Sequence, residues 1–172
     1  MPYERGQSVV IVPVSAVESH VSAWRQRFDL SAARGVPAHV TVLYPFLHES
    51  RLDGEVLRQL GELCAATRAL DVGFARLARF PNVLYLEPEP SDTFRRLTSA
   101  VAERWPEAPP YGGAYVDNIP HLTVAHDVEE AVFATIERDV APRLPVRTRV
   151  EEAWLYVCDG ERWHPRVRLP FG

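Results

Sequence analysis

The chain has 172 residues, of which 47% are apolar and 24% are charged, and its formal net charge is −4 at pH 7. These values are ordinary for a globular protein with its own core, and a negative overall charge does not attract nucleic acid at long range. All nineteen basic residues are arginine, which excludes chemistry that needs a lysine, such as a nucleotidyl-lysine intermediate, a Schiff base or a Walker-type phosphate site.

Neither the N-terminus nor any apolar run indicates a membrane or secreted protein. No segment approaches the ~20 consecutive apolar residues that span a bilayer, and Met1 to Arg5 lack the basic-then-apolar layout of a secretory signal. Cys64 and Cys158 stand outside any C-x-x-C pair, so we expect them to be buried apolar side chains rather than a disulfide or metal site. We therefore expect a cytoplasmic protein.

Apolar periodicity in the first half predicts the order strand, helix, strand, helix, strand. The predicted strands cover residues 7–14, 38–46 and 72–80. The first helix follows a capping-box signature, Ser15-x-x-Glu18. Its apolar stripe comprises Val17, Val21, Trp24 and Phe28. One side of the second helix comprises Leu52, Val56, Leu60, Leu63 and Cys64.

The same order recurs after a turn at Pro81-Asn82. Strands are predicted at 83–87, 119–125 and 147–157, and helices at 91–105, capped by Ser91, and at 129–140. Asp159-Gly160 is typical of a hairpin and predicts a last strand over 162–169, in the second half. The matching periods indicate one domain, residues 1–172, built from two lobe-like repeats over 7–80 and 82–171. The alternative is a single α+β domain whose regularity is accidental.

A repeated tetrapeptide carries most of the functional information. His39-Val40-Thr41-Val42 recurs 82 residues later as His121-Leu122-Thr123-Val124. Side chains two apart on a strand face the same side, so each copy presents an imidazole and a hydroxyl together and buries its aliphatic residues on the other face. If the two copies face each other, two proton-transfer groups and two hydroxyl donors surround one small space.

The two motifs resemble those of the 2H phosphoesterase superfamily, in particular its 2′-5′ RNA ligase-like branch. The similar segments are 37–46 (PAHVTVLYPF), 79–86 (RFPNVLYL), 120–125 (PHLTVA) and 163–171 (WHPRVRLPF). The resemblance implies an α+β, bilobal fold with antiparallel sheets and flanking helices around a central cleft. It further implies an enzyme that acts on 2′,3′-cyclic or 2′-5′-linked phosphodiesters without a metal or other cofactor. We expect a monomer that binds RNA ends or a small cyclic nucleotide and does not associate with a membrane.

The residue types in the motifs suit phosphodiester chemistry. A histidine with an ordinary pKa near 6.5 can take or give a proton close to neutral pH, so His39 and His121 are the predicted base and acid, in either order. Thr41 and Thr123 are the predicted hydrogen-bond donors to the non-bridging phosphate oxygens. If a ribose hydroxyl attacks instead of water, the same arrangement ligates rather than hydrolyses.

Four aromatic residues are candidates for substrate binding, with packing in the core or at a hinge as the alternative for each. They are Tyr44, Phe46, Tyr85 and Tyr115. Tyr111 and Tyr115 also flank Gly112-Gly113, in a loop that is either a flap over the substrate or a plain connection.

Other functions remain open at this point. The cleft would also suit a non-catalytic module that binds RNA ends or cyclic nucleotides, or an esterase for ADP-ribose cyclic phosphate or cyclic oligonucleotides, because specificity resides in the surrounding loops. A zinc site would have to recruit His48 or His126, and the ligand set is poor. Residues 143–172 hold six arginines against four acids, which fits either a solvated strand pair or an RNA-contacting surface.

Overall fold

The computed structural model describes residues 3–172 and has the predicted α+β fold. Met1 and Pro2, on which part of the N-terminal prediction rests, lie outside the described residues. The strands are β1 Ser8–Pro13, β2 His39–Leu43, β3 Leu70–Phe80, β4 Val83–Glu89, β5 Leu122–His126, β6 Val146–Val150, β7 Glu152–Cys158 and β8 Trp163–Pro170. The helices are α1 Glu18–Phe28, α2 Leu30–Ala33, α3 Gly54–Ala65, α4 Asp92–Arg104 and α5 Glu130–Val140.

The helices begin close to the predicted residues, but two of the predicted caps do not form. Ser15 lies in a short 3-10 turn before α1, and its side chain caps neither this turn nor the helix. Ser91 occupies the N-cap position of α4 without a side-chain hydrogen bond. At α3, by contrast, Asp53 accepts a hydrogen bond from the backbone N–H of Val56 at 2.9 Å, as an N-cap residue should.

The strands form two four-stranded antiparallel sheets. The first has the order β2-β1-β7-β8, and the second has the order β5-β4-β3-β6. Each sheet therefore begins with one motif strand at its edge, followed by the strand that opens the same repeat. The remaining strands of the first sheet, β7 and β8, come from the second repeat, and β3 in the second sheet comes from the first repeat. Each sheet therefore contains strands of both halves.

This exchange of strands corrects the predicted lobe boundaries, because residues 7–80 and 82–171 are not separate lobes. The Pro81-Asn82 turn, which we expected to separate the repeats, is a tight hairpin in which Phe80 pairs with Val83. Strands joined by a short turn pair locally, so β3 is drawn into the sheet of β4. The predicted strand over 147–157 breaks at Glu151. Before this residue the chain pairs with β3 in the second sheet, and after it the chain pairs with β1 in the first. The last strand, β8, pairs with β7 and therefore extends the first sheet.

The helices also pack against strands of the other half of the chain. Helix α1, from the first repeat, packs against β5, and α4, from the second, packs against β2. The hydroxyl of Thr98 in α4 donates a hydrogen bond to the backbone carbonyl of Val42 at 2.7 Å, which ties the helix to the first motif strand. One large apolar core consequently runs through both sheets and their helices.

A second, smaller apolar cluster covers the opposite face of the first sheet. Val10 and Val12 of β1 point into the large core, whereas Val9 and Ile11 point into the small cluster, as the two-residue period of a strand requires. Cys64 and Cys158 are both free and buried, which confirms their predicted apolar role. Among the helices of residues 3–172, none combines the length and the apolar character needed to cross a membrane.

We predict that neither half of the chain folds alone, because each sheet needs strands from both. Fragments 1–81 and 82–172, expressed separately, should each give the circular dichroism and amide NMR spectra of a largely unfolded chain. Mixing the two fragments should restore the spectra of the intact protein. A single fragment with dispersed amide resonances would contradict the exchanged topology.

Candidate active site

The two His-x-Thr motifs lie on the edge strands of their sheets, and these edge strands contact each other. Along β2 the side chains of Val40 and Val42 are buried while His39 and Thr41 remain partly exposed. The second motif repeats the pattern, with His121 just before β5 and Thr123 within it. The predicted alternation is therefore confirmed: in each motif the histidine and the threonine share one face of a strand that borders the gap between the sheets.

Both histidines are oriented by the same local hydrogen bond. Nδ1 of His39 lies 2.7 Å from the backbone oxygen of Pro37, and Nδ1 of His121 lies 2.7 Å from that of Ile119. A carbonyl oxygen can only accept, so Nδ1 must carry the hydrogen in each ring. In the neutral imidazole, Nε2 is then the proton acceptor, and it is the atom available for chemistry.

Nε2 of His39 already has a partner within its own motif. It lies 3.1 Å from the hydroxyl oxygen of Thr41. Since Nε2 of a neutral ring that carries its hydrogen on Nδ1 can only accept, the Thr41 hydroxyl donates this hydrogen bond in the neutral form. The side chain of Tyr111, from the loop before β5, lies close to Thr41.

The surroundings keep both imidazoles neutral near pH 7. Burial, followed by the charge of Arg25, lowers the pKa of His39 to about 4, against the opposing effects of the Pro37 carbonyl and Asp29. Burial also lowers the pKa of His121, against its own backbone hydrogen bond. Charge on His121 further lowers the pKa of His39. The two rings belong to motif strands that contact each other.

A buried charged cluster in α1 holds the segment that precedes His39. Arg25 is 2% exposed, and its guanidinium donates to the carboxylate of Asp29 at 2.9 and 3.1 Å and to the Val36 carbonyl at 3.3 Å. Glu18 accepts the backbone N–H of Ala38, which explains why it does not form the predicted capping box. Helix α1 thus holds the backbone before His39 in place and also provides the charge of Arg25 that lowers the pKa of His39.

Two aromatic rings support His121 on the other side of the gap. Phe80 meets its imidazole edge to face with centroids 5.2 Å apart, and Tyr85 meets it at 5.5 Å. Phe80 and Tyr85 also stack on each other, 4.3 Å apart with an interplanar angle of 26°. Phe80 remains partly exposed, so one ring is left at the surface beside the imidazole.

The predicted aromatic residues have different positions. Phe46 is 5% exposed and packs against Trp105 in the large core, which corrects its assignment to substrate binding. Tyr85 is equally buried and supports His121 rather than offering a free face, which corrects its assignment too. Tyr44 is half-buried against Trp163 in the small cluster. Tyr115 is 65% exposed and packs edge-on against Tyr111.

Sequence reasoning missed Phe80 and left Tyr111 out of the site. Phe80 ends β3 directly before the Pro81-Asn82 turn, so the hairpin brings it back beside β4 and β5. A recognised hairpin would have pointed to it. Tyr111 carries a signal of its own, since it stands between two prolines and two glycines in a loop that connects to the second motif.

The polar groups of the site do not form a metal centre. Residues 3–172 contain no group of three His, Cys, Asp or Glu side chains that could hold a metal ion. His126, one of the two histidines that a zinc site would have to recruit, lies beside Asp127 at 3.3 Å, and His48 contacts the hydroxyl of Ser50 at 2.9 Å.

Two cavities border the segments that precede the motif strands. One of about 400 Å³ borders on Pro37 and Arg162, and one of about 320 Å³ borders on Pro120 and Arg95. Each cavity therefore lies beside the segment that precedes a motif histidine. The four motif side chains line neither of them.

Comparison with known proteins agrees with the motifs and the fold. The model of the 2′-5′ RNA ligase superfamily matches residues 13–162. A Geobacillus kaustophilus protein named "Putative phosphoesterase GK0864" is 24% identical over 136 residues, which are 74% of this chain and 73% of that protein. OB1230 of Oceanobacillus iheyensis, with the same description, is 23% identical over 169 residues, which are 90% of this chain and 91% of its own.

Solved structures show the same fold at low sequence identity. E. coli LigT complexed with 3′-AMP is 19% identical with a TM-score of 0.63, covering 98% of this chain and 99% of LigT. TT0787 of Thermus thermophilus is 18% identical with a TM-score of 0.62, covering 95% of this chain and 97% of its own. The fold is therefore that of LigT, with two antiparallel sheets and flanking helices.

We predict that His39 makes the protein less stable as the pH falls. Its pKa is lower in the folded protein, about 4, than in the unfolded chain, near 6.5, so between these values the unfolded chain binds more protons. The free energy of unfolding should therefore fall as the pH drops through this window, by about 1–3 kcal/mol from this residue. The variant His39→Gln should lose that part of the fall.

Urea unfolding of both proteins at several pH values between 4 and 7 measures this effect. Comparing slopes rather than single values removes any constant effect of the substitution. Parallel profiles for the two proteins would contradict the lowered pKa.

Proposed function

This chain belongs to the 2′-5′ RNA ligase superfamily, and on that basis we propose that it is a metal-independent phosphoesterase for 2′,3′-cyclic phosphates or 2′-5′ phosphodiester linkages of RNA or nucleotides. The observation that carries the proposal is the matched geometry of His39 and His121. Both rings hold their hydrogen on Nδ1 through a backbone carbonyl, which leaves Nε2 of each as the titrating atom, and the two motif strands contact each other.

Hydrolysis needs one imidazole to take a proton from water and the other to give one to the leaving ribose oxygen. In the free protein burial favours the neutral form of both rings. An anionic phosphodiester between them favours the charged form, because a nearby negative charge raises the pKa of an imidazole. Substrate binding therefore supplies the acid, while the second ring stays neutral as the base.

The two threonines complete the arrangement. Hydroxyl donors aimed at the non-bridging oxygens stabilise the charge that those oxygens carry in the transition state. Thr41 and Thr123 occupy equivalent places next to the two imidazoles. When the 5′-hydroxyl of a second ribose replaces water as the nucleophile, the base takes the proton of that hydroxyl and the acid protonates the 3′-oxygen that leaves phosphorus, so the same site performs 2′-5′ ligation. The 3′-AMP complex of LigT supports a nucleotide-sized substrate.

We predict that the purified protein, acting as a monomer, opens adenosine 2′,3′-cyclic phosphate in excess EDTA, with a bell-shaped dependence of kcat/KM on pH. His39→Ala and His121→Ala should each reduce kcat by about 10²–10⁴-fold, the usual contribution of a general acid or base. Thr41→Val and Thr123→Val should each cost about 10–10³-fold. Chromatographic separation of the nucleotide products measures all four variants.

A matched control is His164→Ala, because His164 is an exposed histidine paired with Asp159 on the hairpin between β7 and β8. It should retain full activity. Unchanged rates in both motif variants would refute the assignment. Tight binding of the cyclic phosphate without any product would instead identify a non-catalytic binding module. A panel with 2′-5′ dinucleotides, ADP-ribose cyclic phosphate and cyclic oligonucleotides then decides the substrate class.

We also predict that ligand binding takes up a proton. Near pH 7 both imidazoles of the free protein are mostly neutral, because both pKa values are lowered from 6.5, and a bound nucleotide monophosphate should charge one of them. Calorimetry with 3′-AMP in buffers of different ionisation enthalpy should report an uptake of about one proton per site. The uptake should be absent in the double variant His39→Gln/His121→Gln. An equal uptake in that variant would show that groups other than these two imidazoles bind the proton.

A further inference from the structure

Phe80 projects from the same face of the second sheet as the polar residues of the second motif. Tyr85 pairs with Thr123, and Ala78 pairs with Tyr85, so the side chains of all three share one face. Phe80 follows Ala78 by two residues and therefore points to this face as well. Its neighbour Arg79 points to the opposite face, where its guanidinium forms ion pairs with carboxylates of α5.

Only one face of the Phe80 ring is covered by the two rings beside it. Phe80 stacks on Tyr85 with their centroids 4.3 Å apart, and the His121 centroid lies 5.2 Å from that of Phe80 and 5.5 Å from that of Tyr85. If His121 lay on the far side of Phe80, its distance from Tyr85 would approach the sum of the other two distances. The three centroids instead form a nearly regular triangle, so the imidazole lies beside the stacked pair. The face of Phe80 that points away from Tyr85 is therefore left to other partners.

This ring does not belong to the apolar core. Neither of the two apolar clusters within residues 3–172 includes Phe80 or Tyr85. In the same part of the chain, Phe80 takes part in no aromatic pair other than those with Tyr85 and His121. Phe80 keeps part of its surface exposed, whereas Tyr85 is 5% exposed and supports it from behind. A supported aromatic face beside an imidazole of the candidate site is suited to stack on another flat ring.

A nucleotide presents such a ring close to its phosphate. In a nucleoside cyclic phosphate, only the ribose separates the base from the phosphorus. With the phosphate at Nε2 of His121, the base of the same nucleotide lies beside the imidazole, where the Phe80 ring is found. Every base has a π-face, so an aromatic side chain can stack on any of them. Inorganic phosphate and a ribose without a base have no group that could use this face of Phe80.

We propose that the outer face of Phe80 is the platform on which the nucleobase of the substrate stacks, so that the substrate carries a base on the same ribose as the reacting phosphate. For turnover the proposal rests on the proposed function, whereas the binding of a nucleotide tests it independently. The candidate substrates differ in this respect. RNA ends, 2′-5′ linkages and cyclic oligonucleotides have a base on that ribose, but the cyclic phosphate of ADP-ribose cyclic phosphate lies on the ribose that has none.

Phe80→Leu tests the aromatic face, because it keeps an apolar side chain of similar size. It should weaken the binding of 3′-AMP about 5- to 50-fold in calorimetry, the lower part of the range for the loss of a base–aromatic stack. Its affinity for inorganic phosphate should equal that of the unchanged protein. Phe80→Tyr keeps the ring and should bind 3′-AMP as the unchanged protein does.

Phe28→Leu is the matched control. Phe28 in α1 is also half-buried and stacked on an aromatic ring, with its centroid 6.2 Å from that of Trp24. This variant should bind 3′-AMP and phosphate as the unchanged protein does. Equal losses for both ligands in Phe80→Leu would show that Phe80 acts only by orienting His121, and would overturn the proposal. It would also be overturned if 3′-AMP bound the unchanged protein no more tightly than phosphate does.

Turnover gives a second readout. Phe80→Leu should lower kcat/KM for adenosine 2′,3′-cyclic phosphate and leave that for ADP-ribose cyclic phosphate unchanged, and an equal loss for the two substrates would contradict the platform. If the unchanged protein binds 3′-AMP but hydrolyses no member of the substrate panel, the proposed function fails, and calorimetry still decides the role of Phe80. Thermal unfolding of each variant shows that the comparison is between folded proteins.

Discussion

The contact between two edge strands from different sheets is the constraint on which the rest of this structure depends. β2 and β5 are not partners in one ladder, so nothing in backbone pairing alone brings them together. They are held by what covers them, because α4 lies on β2 and α1 lies on β5. The core that packs these helices is continuous through both sheets, so the spacing of the imidazoles is a property of the whole core.

The two sides of the gap are alike in their motifs and unlike in their surroundings. His39 has a buried guanidinium behind it and a phenol near its threonine. His121 rests instead on the rings of Phe80 and Tyr85. A reaction that exchanges acid and base needs similar rings, but a substrate has a different group at each end. The two imidazoles make the same hydrogen bond to a backbone carbonyl, which suits the exchange of acid and base. Their different neighbours suit the two different ends of a substrate.

Much of the site was predictable because it depends on local periodicity. Alternation along a strand was enough to place His39 and Thr41 on one face, and the apolar stripes located the helices. Which strands are neighbours was not predictable, since periodicity reports the buried face and not the element that covers it. For this reason Phe46 was assigned to substrate binding although it lies in the core, and Phe80 was not considered. Arg25 was missed because an arginine on a helix usually faces water, and only the tertiary fold buries it beside Asp29.

The exchanged strands also bear on how such a chain could arise. A single repeat ends in a strand that finds its partners only in the sheet of another repeat. A half-length ancestor with this connectivity could bury its apolar faces only as a homodimer of intertwined subunits. Each subunit would have contributed one histidine and one threonine to a shared centre on the twofold axis. Duplication of its gene and fusion of the two copies would then have allowed the halves to diverge. A buried arginine now stands behind one histidine and an aromatic pair behind the other.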